Sequence, residues 1–261
     1  MNNNPKISII TVVYNNKLHI ENTILSVLNQ TYKNIEYIII DGGSTDGTLE
    51  IIKKHAKKLD CIISERDKGI YDAMNKGVLK ATGDWIYFLN SGDTFYTNKT
   101  LHNIFSSQSL YKADLIYGNH ESNYGYFKRI HTPKELINLW KGMIFSHQGM
   151  FVKTKLMKVS PFNLSYKISA DYNFIYNLYK QNKKFKYINI IIATLEAGGL
   201  SELNINKTHL ERWKIIRNYE HSFYHNLIYL IELIKIYLIQ IIKFIFPNSL
   251  VRLFTKLKYK L

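Results

Sequence analysis

Three polar loops combine residue types that could bind a phosphorylated ligand and a metal ion. They occupy residues 14–16 (YNN), 41–47 (DGGSTDG) and 90–93 (NSGD). The carboxylate of Asp93 can supply an oxygen ligand to Mg²⁺ or Mn²⁺. Gly42 and Gly43 permit backbone conformations, and a close approach of the chain to a ligand, that other residues would prevent. These residue types predict a site for an anionic ligand.

The segments around these loops predict alternating strands and helices. The strand candidates are residues 7–13, 35–40, 61–64, 85–89, 115–117, 149–152 and 187–195, and the helical patterns are residues 18–28, 48–59, 70–81 and 169–181. Strands that are apolar on both faces and alternate with helices imply a parallel sheet covered by helices. Ligands bind such sheets at the carboxyl ends of the strands, which is where the three polar loops fall.

Composition limits the class of protein. The chain has 261 residues, of which 46% are hydrophobic and 21% charged, enough for a sizeable core. Its formal net charge of +15 requires an anionic partner: nucleic acid, a phosphorylated substrate or an anionic membrane. The single cysteine, Cys61, has no disulfide partner, and we expect it to be a buried small hydrophobic residue. Residues 1–5 are polar and lack the pattern of a signal peptide, so we do not expect export.

The C-terminal segment changes in character near His221. Residues 222–246 are strongly apolar, but at about 100° per residue their polar positions share one stripe roughly 140° wide: His225, Glu232, Lys235, Gln240 and Lys243. These charges are unfavourable for a bilayer span, and the pattern favours a helix that lies in a membrane interface or packs against a partner. A basic tail that suits anionic headgroups follows, with Arg252, Lys256, Lys258 and Lys260. A terminal helix folded onto the rest of the chain is the alternative.

Three motifs, in this order and at predicted strand ends, resemble the family 2 glycosyltransferases of the GT-A fold. They are residues 11–15 (TVVYN), 40–48 (IDGGSTDGT) and 89–93 (LNSGD). Between them, residues 67–77 (DKGIYDAMNKG) resemble the helix start that these enzymes place near the donor. The resemblance covers about residues 6–200. It implies an α/β protein of GT-A type, with a mostly parallel central sheet flanked by helices, followed here by a C-terminal amphipathic helical extension.

The resemblance implies a nucleotide-sugar donor, with a UDP-sugar as first choice and a GDP-sugar as second. The leaving nucleoside diphosphate gains negative charge as the glycosidic bond breaks, so the site needs a divalent cation or basic side chains. Asp93 is the expected ligand of Mn²⁺ or Mg²⁺, because it is the one carboxylate at positions where the family commonly has Asp-x-Asp. The expected nucleotide-binding residues are Val13, Tyr14, Asn15, Asp41, Gly42, Gly43, Lys68, Asp72, Asn75, Asn90, Ser91 and Gly92.

The resemblance also implies a general base for the acceptor hydroxyl. In enzymes of this pattern the base follows the metal motif at a helix start, and Asp171 in residues 170–172 (ADY) matches it best. An aspartate favoured by the helix dipole is the alternative reading. His147, next to Gln148, is expected to line the acceptor pocket or to assist the leaving group. Together these residues predict a hexosyltransferase that inverts the configuration at C1.

We expect a catalytic domain at residues 1–220, with its nucleotide-binding half at about 1–110 and its acceptor half at about 111–220. Residues 221–261 would form the membrane-association segment. By analogy the acceptor is a hydroxyl of a lipid-linked oligosaccharide, as in the assembly of bacterial O-antigen or capsule. The enzyme would then be cytoplasmic and peripheral on the inner face of the cell membrane, held there by residues 222–261, and would bind no nucleic acid. The C-terminal helix could instead form an oligomer.

Two other classes stay open on sequence alone. A nucleotidyltransferase on a related sheet would usually carry a Gly-rich, basic phosphate loop after its first strand, and residues 14–17 (YNNK) offer none. A non-enzymatic nucleic-acid-binding protein would explain the charge. However, no recognisable motif or basic helix in the first 200 residues supports it.

Overall fold

The structure, a computed structural model, describes residues 4–106, 110 and 112–245. The chain divides into two compact units, Met1–Gly199 and Leu200–Leu261. Every predicted catalytic, nucleotide-binding and metal-binding residue lies in the first unit. The basic tail from Arg252 onward lies outside the described residues. The functional boundary predicted after residue 220 falls within the second unit and stays a prediction.

Half of the sheet consists of four parallel strands in the order β3, β2, β1, β4. Their bounds are β1 (Ile7–Val13), β2 (Ile35–Asp41), β3 (Cys61–Ser64) and β4 (Trp85–Phe88). All seven residues of β1 are buried, as expected for a central strand of β-branched residues covered on both faces. The expectation of a buried cysteine is wrong, because Cys61 lies on the edge strand and is partly exposed.

The second half of the sheet is mixed in direction. β8 (Met150–Lys153) runs antiparallel to β4 and to β6 (Leu115–Asn123), and β9 (Phe185–Glu196) runs parallel to β6. Two short strands that the sequence did not indicate complete it: β5 (Thr94–Phe95) pairs with β9, and β7 (Lys128–His131) forms a hairpin with β6. The predicted α/β class of GT-A type is confirmed, with this antiparallel component added.

Helices cover the sheet. They are α1 (Ile20–Leu28), α2 (Thr48–Lys54), α3 (Ile70–Lys80), α4 (Thr100–Phe105), α5 (Thr154–Val159) and α6 (Ala170–Lys180). Of these, α1, α2 and α3 begin next to the loops that follow the parallel strands. α3 lies very close to β1, because a Cβ at Gly77 would stand 2.5 Å from Ile10 Cγ2. Glycine at this position therefore lets α3 approach the central strand, and the N-terminus of the helix reaches the loops that follow β1 and β2.

One edge of the sheet collects the predicted site residues. The carboxyl ends of β1, β2, β4, β6 and β9 lie there, since these strands share one direction. The amino end of β8 lies there too, because β8 runs the opposite way. Residues 147–149, which precede β8 as a short 3₁₀ helix, are thereby brought to the edge that carries Asp93.

The second unit is a helical hairpin with one uncovered apolar face. It contains α7 (Leu200–Leu203), α8 (Ile205–Tyr219) and α9 (Phe223–Ile245). Trp213 donates its indole N–H to Asn226 Oδ1 at 2.9 Å, and the amides of Asn206 and Gln240 exchange two hydrogen bonds of 3.0 Å. By length and composition, α9 is apolar enough between Phe223 and Ile242 to cross a membrane.

At the opposite edge of the sheet, Glu36 forms a buried polar cluster. It is 6% exposed and accepts hydrogen bonds from the Ser8 hydroxyl at 2.5 Å and from Thr82 N–H at 2.7 Å, while Lys6 Nζ lies 3.1 Å away. Burial alone would raise the pKa of Glu36, but the hydrogen bonds from Ser8, Thr82 and Lys6 outweigh it and lower the pKa to about 2.

We predict that Glu36→Gln destabilises the fold by about 1–3 kcal/mol, because it leaves these donors facing a neutral amide. A carboxylate with a lowered pKa stabilises the folded state above its unfolded pKa, and that stabilisation is lost as the pH falls through its folded value. The difference between variant and parent should therefore be full above about pH 4.5 and shrink toward about pH 2. Urea unfolding across this range measures it, with the exposed Glu50→Gln as control. An equal difference at all pH values would contradict the assignment.

Candidate active site

A cleft of about 660 Å³ lies between the ends of β1 and β2 and the start of α3. The sequence predicted four of its lining residues: Val13, Tyr14, Gly42 and Gly43. Val12, Asp67, Gly69, Ile70 and Ala73 belong to motifs that the sequence placed near the donor without assigning them individual roles, and only Arg66 lies outside those motifs. The ring of Tyr14 is available to a ligand, since this residue is 66% exposed. The cleft has the size and the backbone-rich lining of a small-molecule site.

Arg66 is the cationic residue in this lining, and sequence reasoning passed over it. It is exposed. The neighbouring Lys76 is already engaged, with Nζ 2.6 Å from Asp67 Oδ1 and 2.7 Å from Glu65 Oε1. Lys68, the cation predicted here, is exposed but is not part of the cleft lining. The sequence could have indicated Arg66 by its position just after β3, because the three polar loops also follow strands.

Two residues that were predicted to bind the nucleotide form hydrogen bonds with the loops at the cleft. Asp41 is fully buried, and its carboxylate accepts hydrogen bonds from the Ser64 hydroxyl at 2.6 Å and from Ser44 N–H at 3.2 Å. Asn15 adopts a left-handed conformation with φ of 48°, donates its N–H to Ser44 Oγ at 2.8 Å and accepts from Thr45 N–H at 2.9 Å. Both residues fix the loop after β2 in place. Direct contact of either residue with a nucleotide stays a prediction.

Asp72 and Asn75, on α3, hold backbone groups. Asp72 Oδ2 accepts the N–H of Lys68 at 2.9 Å. Lys68 lies four residues before Asp72, just ahead of the start of the helix. The amide of Asn75 both donates to the carbonyl of Phe162 and accepts from its N–H, each at 2.9 Å. These contacts fix α3 against the preceding loop and against residue 162. The predicted nucleotide contacts of these two side chains stay predictions.

The loop of residues 90–93 is held by α1 and by the loop after β1. Gly92, with φ of 105°, donates its N–H to Thr23 Oγ1 at 3.0 Å. Asn16 donates its amide to the carbonyl of Ser91 at 3.1 Å and to its hydroxyl at 3.0 Å. Asn16 therefore joins two of the three polar loops. The sequence placed it in the first of them but assigned it no role.

Asp93 is buried at the centre of this edge. It is 6% exposed; Oδ1 accepts the N–H of Glu196 at 3.1 Å, and Oδ2 accepts the amide of Gln148 at 3.0 Å. Burial raises the pKa of Asp93 to about 6, although these two hydrogen bonds and the nearby His147 oppose the rise. Its carboxylate is therefore anionic at neutral pH.

The donor set around Asp93 fits a divalent cation only if the substrate supplies most of the ligands. Each carboxylate oxygen keeps a second lone pair, and the buried Asn90 Oδ1 accepts no hydrogen bond from the described residues. In the part of the chain that the structure describes, no group of three or more His, Cys, Asp or Glu could hold a metal. Mg²⁺ and Mn²⁺ commonly bind through one or two carboxylates, substrate phosphates and water, which this site allows.

His147 joins Asn90 to Asp171 in one chain of hydrogen bonds. Asn90 Nδ2 lies 3.2 Å from His147 Nε2, and His147 Nδ1 lies 3.1 Å from Asp171 Oδ2. If the Asn90 amide donates to Nε2, then Nδ1 carries the proton and donates it to Asp171. Asn90 therefore contacts His147, and the nucleotide contact expected for Asn90 stays a prediction.

The other oxygen of Asp171 is held from two directions. Oδ1 accepts the Tyr71 hydroxyl at 2.9 Å and the N–H of Tyr172 at 2.8 Å. Burial alone would raise the pKa of Asp171, but hydrogen bonds and attraction from His147, together with those from Tyr172 and Tyr71, outweigh it and lower the pKa. The carboxylate is thus ionised and held in one orientation. Sequence reasoning quoted Tyr71 within a motif but did not predict this contact.

The chain belongs to the family described as Glycosyl transferase family 2, whose model matches residues 8–174. It is 32% identical over 198 residues to a PGL/p-HBAD biosynthesis glycosyltransferase of Mycobacterium bovis, covering 72% of this chain and 75% of the relative. It is 34% identical over 193 residues to a glycosyltransferase of Haemophilus influenzae, covering 70% and 75%. The protein is therefore a glycosyltransferase, and the nucleotidyltransferase and nucleic-acid-binding alternatives are set aside.

Solved structures share the fold of this chain. S. aureus TarS 1–349 in complex with UDP superposes with a TM-score of 0.65 at 20% identity, over 81% of this chain and 64% of that one. The mannosyltransferase PcManGT of Pyrobaculum calidifontis, in complex with GDP-Man and Mn²⁺, gives 0.65 at 16% identity, over 82% and 64%. This chain spans less than two thirds of either length.

We predict that Asp93→Asn weakens the Mn²⁺-dependent part of UDP binding by at least about tenfold, because it removes the negative charge at the expected metal ligand. The asparagine has nearly the same shape, and its one oxygen can still accept the N–H of Glu196. Calorimetric titration with UDP, with and without Mn²⁺, measures the effect. Binding of UDP alone serves as control. Unchanged affinity in the presence of Mn²⁺ would move the metal ligand to another residue.

Proposed function

We propose that this family 2 glycosyltransferase transfers a hexose from a nucleoside-diphosphate sugar, a UDP-sugar in the first instance, to a hydroxyl of a lipid-linked oligosaccharide. The reaction inverts C1 and serves the assembly of bacterial surface polysaccharide. One observation carries the proposal: a cleft, a buried aspartate at a metal-motif position and a second, hydrogen-bonded aspartate all lie on one edge of the sheet. The UDP and GDP-Man complexes of the structural neighbours support a nucleotide-sugar donor.

In this proposal the donor base and ribose occupy the cleft at Val13, Tyr14, Gly42 and Gly43. The exposed ring of Tyr14 can stack on or border the base. The guanidinium of Arg66 can offset the charge of the diphosphate. A divalent cation, when bound by Asp93 and the phosphate oxygens, would stabilise the charge that develops on the leaving group.

Asp171 acts as the general base. It takes the proton of the acceptor hydroxyl as that oxygen forms its bond to C1, and the electron pair of the breaking C1–O bond passes to the leaving diphosphate. His147 orients Asp171 through Nδ1 and lies between it and Asn90. Because the carboxylate is buried and its oxygens are held by His147, Tyr71 and Tyr172, it needs little reorganisation when it accepts the proton.

We predict that Asp171→Asn lowers sugar transfer roughly 10²-fold or more while UDP binding stays near the parental value. A panel of UDP- and GDP-sugars, with release of the sugar to water as the readout, first identifies the donor. The matched control is Asp84→Asn at the opposite edge of the sheet, where the carboxylate accepts the N–H of Lys6. Parental transfer by the Asp171 variant would eliminate Asp171 as the base. Failure of the parent to hydrolyse any nucleotide sugar would count against the proposed function.

The proposed membrane contact is the uncovered apolar face of α9. α8 packs on the face of α9 that carries Asn226, Tyr229 and Gln240. The apolar face of the helix has side chains that are 38–80% exposed: Phe223, Leu227, Leu230, Ile231, Ile234, Leu238, Ile241 and Ile242. A helix that is apolar on one side and polar or covered on the other suits an interfacial position, on the cytoplasmic face of the membrane.

We predict that the double variant Ile234→Asp and Leu238→Asp no longer cosediments with phosphatidylglycerol vesicles, because it places two charges on this face. Hydrolysis of the donor should be unchanged, and high salt should weaken but not abolish binding of the parent. Lys235→Gln, on the polar stripe, is the control. Resistance of the bound parent to alkaline carbonate would indicate a spanning helix, and a dimer that ignores vesicles would indicate an oligomer contact.

A further inference from the structure

We propose that the tip of the hairpin between β6 and β7, residues 124–127, binds the saccharide chain of the acceptor. The inference rests on the proposed function. The sequence placed this hairpin in the acceptor half of the chain but assigned a role to none of its residues. It follows from the order of the strands, from the hydrogen bonds at the base of the hairpin and from the side chains at its tip.

The order of the strands places the hairpin away from the donor cleft, on the side that we propose for the acceptor. The order is β2, β1, β4, β8, β6. The donor cleft follows β1 and β2, Asp93 follows β4, and His147 with its partner Asp171 precedes β8. β6 lies three strand spacings beyond β1, about 14 Å at ~4.8 Å per spacing. An inverting displacement requires the acceptor to reach C1 from the side opposite the diphosphate, and by strand order the hairpin lies beyond β4 and β8 from the donor cleft.

Hydrogen bonds connect the base of the hairpin to Asp93. Asn123 donates its amide to Glu196 Oε1 at 2.9 Å, and its carbonyl accepts the N–H of Ala197 at 3.0 Å. The N–H of Glu196 in turn binds Asp93 Oδ1 at 3.1 Å. The tip begins one residue after Asn123, so at about 3.3 Å per residue it reaches no more than about 13 Å beyond this contact. The tip would therefore bind a sugar residue further along the acceptor chain, not the residue whose hydroxyl reacts.

The tip presents aromatic rings that the rest of the described chain leaves uncovered. Tyr126 is 86% exposed and Phe127 is 41% exposed. The ring of Phe127 stacks on Tyr124 with centroids 4.6 Å apart and an interplanar angle of 8°, and lies 4.9 Å from the ring of Tyr126. Gly125, with φ of 83°, makes the turn that places these rings together. Such a cluster indicates a binding surface, because exposed aromatic groups are otherwise unfavourable in water.

Polar groups next to the rings make a saccharide the fitting ligand. Lys128 pairs with Glu121 at 2.9 Å, and the hydroxyl of Thr194 donates to the same Glu121 oxygen at 3.0 Å. A pyranose has one face of C–H groups, which packs on an aromatic ring, and a rim of hydroxyls, which needs donors and acceptors alongside. The hairpin offers both at the site's acceptor side.

The test compares the double variant Tyr126→Ala and Phe127→Ala with Tyr126→Phe, which keeps the ring. Each full-length protein is applied, in the presence of UDP, to an array of hexose and N-acetylhexosamine oligosaccharides and, separately, to phosphatidylglycerol vesicles. Hydrolysis of the nucleotide sugar is measured in parallel and reports on the proposed function by itself. We expect parent and Tyr126→Phe to retain the same oligosaccharides. The double variant should bind them about tenfold more weakly with unchanged hydrolysis.

Three results would overturn the proposal: undiminished oligosaccharide binding by the double variant, a loss confined to vesicle binding, or a parent that hydrolyses the donor yet retains no oligosaccharide. The second result would make the tip a membrane contact. Absence of hydrolysis in the parent would instead count against the proposed function, so the two failures are distinguishable.

Discussion

The arrangement of the site depends on the burial of two carboxylates at one edge of the sheet. A buried carboxylate is strongly unfavourable unless hydrogen-bond donors compensate for the water it loses. For Asp93 these donors come from Gln148 and from the backbone of Glu196, and for Asp171 they come from His147, Tyr71 and Tyr172. Because the donors belong to segments far apart in sequence, satisfying the two charges also fixes those segments relative to one another.

One dipeptide, His147-Gln148, forms hydrogen bonds with both carboxylates. His147 binds Asp171 and Gln148 binds Asp93, so adjacent residues of the chain position two carboxylates for which we propose different roles. Their pKa values move in opposite directions from the usual value: Asp93 is raised by burial, whereas the hydrogen bonds on Asp171 outweigh burial and lower its pKa. The difference suits their proposed roles. A metal ligand gains its charge compensation only when the cation and nucleotide arrive, whereas a base must be oriented beforehand.

Sequence reasoning was most successful where local pattern and chemistry coincide. The buried runs of β1 and β2 and the glycines after β2 predicted the parallel half of the sheet and part of the cleft. Arg66 was missed because a single exposed arginine after a short strand has no pattern of its own. The bracing contacts of Asp41, Asn15 and Asn75 were also out of reach. A carboxylate or amide in a polar loop has the same sequence signature whether it binds a ligand or the backbone of another loop.

The position of His147 depends on strand direction: sequence reasoning predicted a mostly parallel sheet and did not predict the reversal at β8. In a fully parallel sheet, residues that precede a strand lie at the edge opposite the carboxyl ends, so His147 and Gln148 would be remote from Asp93. β8 is antiparallel to β4 instead, with Trp85 opposite Lys153, and its amino end therefore lies beside the end of β4. The same reversal places β6 as the next strand along, with its carboxyl end and hairpin at the functional edge. The reversed strand β8 thus brings to one edge the dipeptide that binds both carboxylates and the hairpin that we propose binds the acceptor.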